Sequence, residues 1–247
     1  MFLNPNDWNL KHPKEVTQLL KAQQKLDELV NAPAPDTAGL YNEKTLEKTL
    51  DAMVNHSLVS GHERVRAVNQ ARELIERKLN RTIKENMDEY LAQAAESFDK
   101  AAEKYEENIY LLPAQPFTAE EALGFSAEQR EAYDKVCEAA GVLSYWMQWA
   151  LELTDLPGEY LNSWSKWFTI VSPETVGGLM VLQLEDADTG NPAYDRTLPA
   201  VARAVREGAT LRLASPSQAY RDAQAQEAQR QGMSDEAERV LRTGLGY

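Results

Sequence analysis

Apolar residues in the first sixty positions recur every three or four residues, which is the period of one face of an α-helix. Two such segments are separated by a loop rich in proline. We predict a first helix over residues 13–31 and a second over about 42–60, where Gly61 ends the pattern. The apolar stripe of the second helix consists of Leu46, Leu50, Met53, Val54 and Leu58.

The next pattern is much longer. Residues 62–112 contain neither glycine nor proline, and their apolar positions recur in steps of three and four with a single step of seven. This predicts one helix of roughly 75 Å, at about 1.5 Å per residue. A helix of that length does not fit inside one small domain. We therefore expect it to lie along other helices, of this chain or of another, as in a coiled coil.

A fourth helix is predicted from about Ser126 to Thr154, where Ser126 and Gln129 have the spacing of a capping box. Its apolar arc is about twice as wide as a surface helix requires. After a turn at residues 156–158, a short fifth helix is predicted to reach about Val171. These two helices hold four of the five tryptophans, namely Trp146, Trp149, Trp164 and Trp167.

Each tryptophan pair is separated by three residues, so both members project from one side of their helix. Fully burying one aromatic side chain contributes on the order of 1.5 to 3 kcal/mol. We interpret the tryptophans as a helical hub against which the long helix packs. Two alternatives stay open. The tryptophans suit a partner-binding surface, and they also suit contact with a membrane interface, although no lysine-rich polar face accompanies them.

Beyond Ser172, glycine and proline divide the chain into short pieces. The segments LMVLQLE (179–185) and ATLRLAS (209–215) are candidate strands, and the first also fits a helix with slightly less support. We predict a short helix over residues 198–208, because Pro199 lies near the start of this segment and Gly208 at its end.

The last part of the chain contains few large apolar residues. Residues 215–232 therefore predict either a solvated helix or a flexible linker. Residues 233–247 predict a small terminal helix, with Ser234 as its N-cap and acidic residues in its first turn.

Together these patterns predict a mainly α fold. We expect a long helical hairpin or bundle with a tryptophan-rich helical hub and a small irregular C-terminal region that has room for a short β element. Four regions follow: an N-terminal helix and loop (1–41), the long-helix bundle with the hub (42–171), a small mixed region (172–214) and a flexible tail with a short terminal helix (215–247).

Composition and charge narrow the choice of partners. The 247 residues are 43% hydrophobic, enough to bury a core. The net charge of −13 disfavours attraction to nucleic acid or anionic lipid unless the basic residues are segregated. They are partly segregated, because residues 62–84 hold seven basic and three acidic residues, whereas residues 85–112 hold eight acidic and two basic ones.

Three interpretations of this charge pattern are open. Two antiparallel copies of the long helix would match basic half to acidic half, which predicts a homodimer. Alternatively, both halves are solvated faces with ordinary pairs such as Glu73 with Arg77. Nucleic-acid binding by the basic half is disfavoured, because the acidic half repels phosphate and no interleaved aromatic residue can stack on bases.

The sequence contains only weak signals for catalytic, metal-binding or nucleotide-binding sites. The single cysteine, Cys137, excludes an internal disulfide and is expected to be a small buried hydrophobe in a reducing compartment. The histidines His12, His56 and His62 lack metal-ligand spacing. The sequence EDADTGN (185–191) departs from the pattern of a calcium-binding loop, and no nucleotide or hydrolase motif is present. We expect no cofactor, metal, catalytic residue or small-molecule ligand.

The N-terminus lacks the basic and apolar regions of a signal peptide, and no window reaches the roughly 18 uncharged apolar residues of a membrane span. We expect a cytoplasmic, non-enzymatic assembly or interaction protein, such as a scaffold, adaptor or virion-type structural component, that contacts a protein partner or a second copy. The alternatives are a nucleic-acid-associated accessory protein and an α-helical enzyme with dispersed site residues. The candidate interaction residues are Trp146, Trp149, Trp164, Trp167, Arg72, Arg77 and Arg81.

Overall fold

The computed structural model describes residues 8–30, 40, 43–60, 62–162, 165–184, 190–232 and 239–240. Contacts divide the chain into two compact units. One is His12–Met87, and the other combines Met1–Lys11 with Asp88–Tyr247. The four regions expected from the sequence were defined by composition, and they stay a prediction.

The unit His12–Met87 contains three helices: α1 (Lys14–Val30), α2 (Glu43–Ser60) and α3 (His62–Glu85). The first two confirm the predicted helices to within one residue at each end. Helix α1 packs along α3, where the Arg72 guanidinium lies 2.6 Å from the Asp27 carboxylate. The buried side chains of this unit include Val16, Leu79, Thr82 and Ile83.

The predicted long helix is interrupted once. Helix α3 ends at Glu85, and α4 (Met87–Ile109) begins after a single turn residue, Asn86. The Asn86 side-chain amide donates to the Thr82 carbonyl at 2.7 Å, while its backbone N–H is shared between the carbonyls of Thr82 and Ile83. A side chain that competes for a helical carbonyl disturbs the regular ladder. The structure therefore has two helices where one was predicted over residues 62–112.

In the second unit, α4 forms a helical hairpin with α6 (Ala127–Glu152). Lys104 pairs with Glu138, and Trp146 Nε1 donates to Ser97 Oγ at 2.8 Å. Because the residue number rises along one helix as it falls along the other, the helices are antiparallel. The connection between them contains a short helix, α5 (Ala119–Leu123). The predicted capping box at Ser126 and Gln129 is present at the start of α6.

The hairpin core consists of apolar side chains at helical spacing on both helices. Trp146 and Trp149 belong to it, which confirms the tryptophan-containing hub predicted on this helix. Helix α4 contributes Tyr90, Ala94, Phe98, Ala101, Tyr105 and Ile109, and α6 contributes Val136, Ala140, Leu143, Trp146, Trp149 and Ala150.

The predicted fifth helix is largely wrong. Among the described residues between the turn at Gly158 and Val171, a 3₁₀ helix over Ser165–Thr169 is the one helical element. The Ser165 N–H donates to Asn162 Oδ1 at 2.9 Å, and the Asn162 N–H donates to Ser165 Oγ at 2.8 Å. This reciprocal pair of bonds begins the helical turn at Ser165, seven residues after the glycine, because Asn and Ser side chains compete for nearby backbone groups.

A two-stranded antiparallel sheet follows, in which β1 (Val171–Ser172) pairs with β2 (Thr210–Leu211). Val171 lies opposite Leu211, and Ser172 lies opposite Thr210. The candidate strand ATLRLAS is thus confirmed at its second and third residues, Thr210 and Leu211.

The other candidate strand, LMVLQLE, is wrong, because residues 179–184 lie in helix α7 (Val176–Leu184). Thr175 Oγ1 accepts the Gly178 N–H at 3.1 Å and caps the helix start. Residues 177–182 are all buried. A helix that is apolar on every side has no helical period, so its sequence cannot be distinguished from a buried strand.

Three helices complete the unit: α8 (Pro192–Asp195), α9 (Pro199–Arg206) and α10 (Pro216–Gln231). Helix α9 confirms the prediction for residues 198–208, and Gly208 follows it with φ of +85°. Of the two alternatives for residues 215–232, the structure has the helix, and it is packed through the buried Ala219 and Ala223. Most of the terminal helix predicted over residues 233–247, and most of the calcium-like loop, lie outside the described residues.

In the described parts of the chain, no helix has both the length and the apolar character needed to cross a membrane.

Candidate interaction surface

The tryptophans proposed as interaction residues lie mostly in the interior. Trp149 is fully buried and Trp146 nearly so, and their rings meet edge to face at 5.7 Å. Trp167 is also buried, and Lys166 Nζ lies 5.2 Å from its ring centroid. Trp164 lies outside the described residues. Burial favours a packing role for these three side chains, and a role in partner binding stays a prediction.

A further tryptophan, Trp8, joins this cluster without any signal in the local sequence. Its ring lies 4.8 Å from that of Tyr145, and its Nε1 donates to Glu152 at 3.0 Å. A cleft of about 320 Å³ opens beside these rings, and Ser97 and Lys100 of α4 contribute to its wall. Because Trp8 and Glu152 are 144 positions apart, only the fold brings them together.

The three candidate arginines all have carboxylate partners. Arg72 pairs with Asp27 between α1 and α3, so part of its role is structural. Arg77 lies 3.8 Å from Glu73, as the pair predicted from the sequence requires, and Arg81 lies 2.7 Å from Glu85. Exposed pairs of this kind contribute little stability. Arg77 and Arg81 therefore stay accessible at the surface, with their charge partly compensated.

Helix α2 has an exposed apolar stripe. Leu46, Leu50 and Val54 are 44%, 54% and 50% exposed, and their spacing of four residues places them on one helical face. Of the eleven side chains described over residues 44–54, nine are exposed. Most helical stability in proteins comes from packing an apolar face. The sequence predicted this stripe, but it did not indicate that these three side chains would be about half exposed.

The outward faces of α3 and α4 carry opposite charge. Described side chains of α3 that reach the surface include six basic and three acidic residues. The basic ones are Arg66, Arg72, Arg77, Lys78, Arg81 and Lys84. By the same measure, α4 has seven acidic and two basic residues that reach the surface. The basic ones are Lys100 and Lys104, and the acidic ones are Asp88, Glu89, Glu96, Asp99, Glu103, Glu106 and Glu107.

The candidate chemical groups are dispersed. Cys137 is half-buried rather than fully buried, and burial raises the pKa of its thiol. The side chains of His56 and His62 lie outside the described residues. Among the side chains that are described, no three histidine, cysteine or acidic residues are grouped as metal ligands would be. The chain as a whole matches no model of a known protein family, no curated protein and no solved structure.

Proposed function

We propose that this protein is a non-enzymatic helical assembly protein that associates with a second copy of itself through α2. The observation that carries the proposal is the exposed stripe of Leu46, Leu50 and Val54. Most helical stability in proteins comes from packing an apolar face, so covering the stripe stabilises α2. Fully burying an exposed aliphatic side chain contributes on the order of 1.5 to 3 kcal/mol, and these side chains gain about half of that because they are 44–54% exposed.

Charge favours a second copy as the occupant. The outward faces of α3 and α4 carry opposite charge within one chain, so two copies present complementary surfaces to each other. Such complementarity sets orientation and association rate more than affinity. In a two-fold dimer the same patch is used twice. The stripe on α2 supplies the apolar contact, and the charged faces select the arrangement.

Nucleic-acid binding has weaker support. Arg72, Arg77 and Arg81 each pair with a carboxylate, and the chain carries a net charge of −13. A protein that neutralises phosphate needs an excess of accessible positive charge.

Cross-linking tests the proposed contact. With Cys137 replaced by alanine, a new cysteine is placed either at the centre of the stripe (Leu50→Cys) or at an exposed leucine of α3 outside it (Leu74→Cys). Leu74 is 61% exposed and serves as the matched control. A short bismaleimide is expected to join two Leu50→Cys chains covalently, because the stripes face each other, and to leave Leu74→Cys chains single.

Cross-linking at position 50 without cross-linking at position 74 is the outcome expected if α2 is the contact. Equal cross-linking at both positions would indicate random collision between chains. Cross-linking at position 74 alone would place the contact on another surface. Either result contradicts the proposal, as does a Leu50→Cys protein that stays single throughout a concentration series.

A further inference from the structure

A second aromatic cluster lies away from the tryptophans. The rings of Phe117, Phe125, Tyr133 and Tyr194 meet edge to face, with centroid distances of 5.1 Å for Phe117 with Phe125 and 5.3 Å for Phe117 with Tyr194. Such edge-to-face pairs add to the stability gained by burial. The four residues come from the segments around α5, from the start of α6 and from α8. They fix these three elements relative to one another.

Beside this cluster, α5, α6 and α8 border an open cleft of about 500 Å³. Its apolar wall includes Ala122, Leu123, Phe125 and Pro192. Leu123 is 77% exposed, more than any other large apolar side chain described. Clefts of this size and mostly apolar character are typical of small-molecule sites.

The charged residues of the cleft are two arginines and one aspartate. The Arg130 guanidinium donates to the carbonyls of Phe125 at 2.9 Å and Leu123 at 3.0 Å, so neutral groups hold it in place. The Arg196 guanidinium has no hydrogen bond or ion pair with any described residue. Asp134 also lines the cleft, but it is not within ion-pair distance of either arginine. The charged residues that line the cleft therefore sum to one positive charge, in a chain of net charge −13.

The polar group of Tyr133 is already engaged. Its hydroxyl donates to the Ala193 carbonyl at 2.8 Å. Burial, together with contact with Cys137, raises the pKa of Tyr133 to about 12, so the phenol stays protonated at neutral pH. Recognition of a negative group in the cleft therefore depends on Arg196, with Arg130 beside it.

We propose that this cleft binds a small amphipathic carboxylate, with its apolar body on Leu123 and Phe125 and its carboxylate on Arg196. A guanidinium presents two parallel N–H donors that match a carboxylate. The apolar body covers the exposed leucine, which is the part of the wall that water otherwise contacts. This site lies in the unit of residues 88–247, so it does not depend on self-association through α2.

Calorimetric titration tests the proposal with linear carboxylates from butanoate to dodecanoate and with 1-naphthoate. Octanol and octylamine are the uncharged and cationic controls for octanoate. The carboxylates are expected to bind with an affinity that rises with chain length, and octylamine is expected not to bind. Arg196→Gln is expected to weaken carboxylate binding by about tenfold or more, because it removes hydrogen bonds to a charged group, and to leave octanol binding unchanged.

Two further variants separate the apolar from the charged contribution. Leu123→Ser is expected to weaken octanoate and octanol alike, since both share the apolar body. Arg221→Gln, at an exposed arginine of α10, is the matched control and is expected to leave all affinities unchanged. The proposal is overturned if no carboxylate in the series binds, if octylamine binds as well as octanoate, or if Arg196→Gln behaves like Arg221→Gln. Because Arg196 and Arg221 are both exposed, both variants are expected to fold normally.

Discussion

The buried Tyr105 and the half-buried Arg206 join the end of α4 to the C-terminal part of its unit. The Tyr105 hydroxyl donates to the Thr197 carbonyl, and Arg206 Nη2 donates to the carbonyls of Ile109 at 2.6 Å and Leu112 at 3.0 Å. The last carbonyls of a helix have no partner within it. Arg206 supplies hydrogen-bond donors to the carbonyls at the end of α4. Tyr105 holds the loop before α9 through the Thr197 carbonyl.

Tyr105 gives a prediction for alkaline pH. Burial raises the pKa of its phenol well above the usual 10.0. Because the folded pKa exceeds the unfolded one, the contribution of the neutral phenol is fully present below pH 10 and is lost as the pH rises above it. Tyr105→Phe is expected to lower the free energy of unfolding by about 1 to 3 kcal/mol at neutral pH. In the variant, the free energy of unfolding is expected to fall less steeply as the pH rises into the alkaline range.

Urea unfolding across a neutral-to-alkaline pH series measures both effects. Tyr160→Phe is the control, because that tyrosine is 58% exposed. If the two variants lose stability equally steeply in alkali, the buried Tyr105 phenol is not responsible for the decline.

At the scale of single elements, replacing each of two glycines by alanine is expected to change the free energy of unfolding in opposite directions. Gly141 lies inside α6, is exposed, and has open space where a Cβ would be. Gly141→Ala is expected to raise the free energy of unfolding by about 0.5 to 1 kcal/mol, because glycine disfavours the helix interior. Gly208 ends α9 with φ of +85°, so Gly208→Ala is expected to lower it by about 1 kcal/mol through backbone strain.

The measurement is urea unfolding of both variants beside the wild type. Equal changes of the same sign would mean that helix propensity and the positive φ do not control these positions.

Which elements the sequence could predict depends on how each is buried. Helix α6 was predicted because it is periodic and its capping box at Ser126 is local. For helix α7 the sequence left a strand and a helix open with slightly more support for the strand, because burial on every side removes the period. The break at Asn86 depends on whether its side-chain amide bonds to the Thr82 carbonyl or points into solvent. The sequence pattern is the same in both cases, so it could not predict the break. Helix α10 packs through alanines, so the absence of large apolar residues gave the impression of a solvated segment.

The candidate surfaces, too, could be predicted from the sequence only in part. The stripe on α2 was visible as a pattern, but exposure depends on what the rest of the chain covers. The ion pair of Arg72 with Asp27 spans 45 positions, which periodicity cannot detect. The cleft around Arg196 is assembled from three separate segments, none of which carries a recognisable motif.

At the scale of the whole molecule, charge and apolar exposure together argue for association. The chain carries a net charge of −13, with a basic helix α3 and an acidic outward face on α4. Charges exposed to solvent are screened beyond a Debye length of about 3 Å at 1 M salt. An association guided by them should therefore loosen at high salt, while the apolar contact of α2 should not depend on charge.

The most direct measurement is the absolute mass by light scattering behind a sizing column, at low and at high salt, for the wild type and for the double variant Leu46→Ser and Leu50→Ser. Self-association through α2 predicts twice the chain mass of 27.8 kDa for the wild type at low salt, a partial shift towards one chain at high salt, and a single chain for the variant. A wild type that stays at 27.8 kDa at every concentration and salt, or a variant that is as dimeric as the wild type, would contradict it.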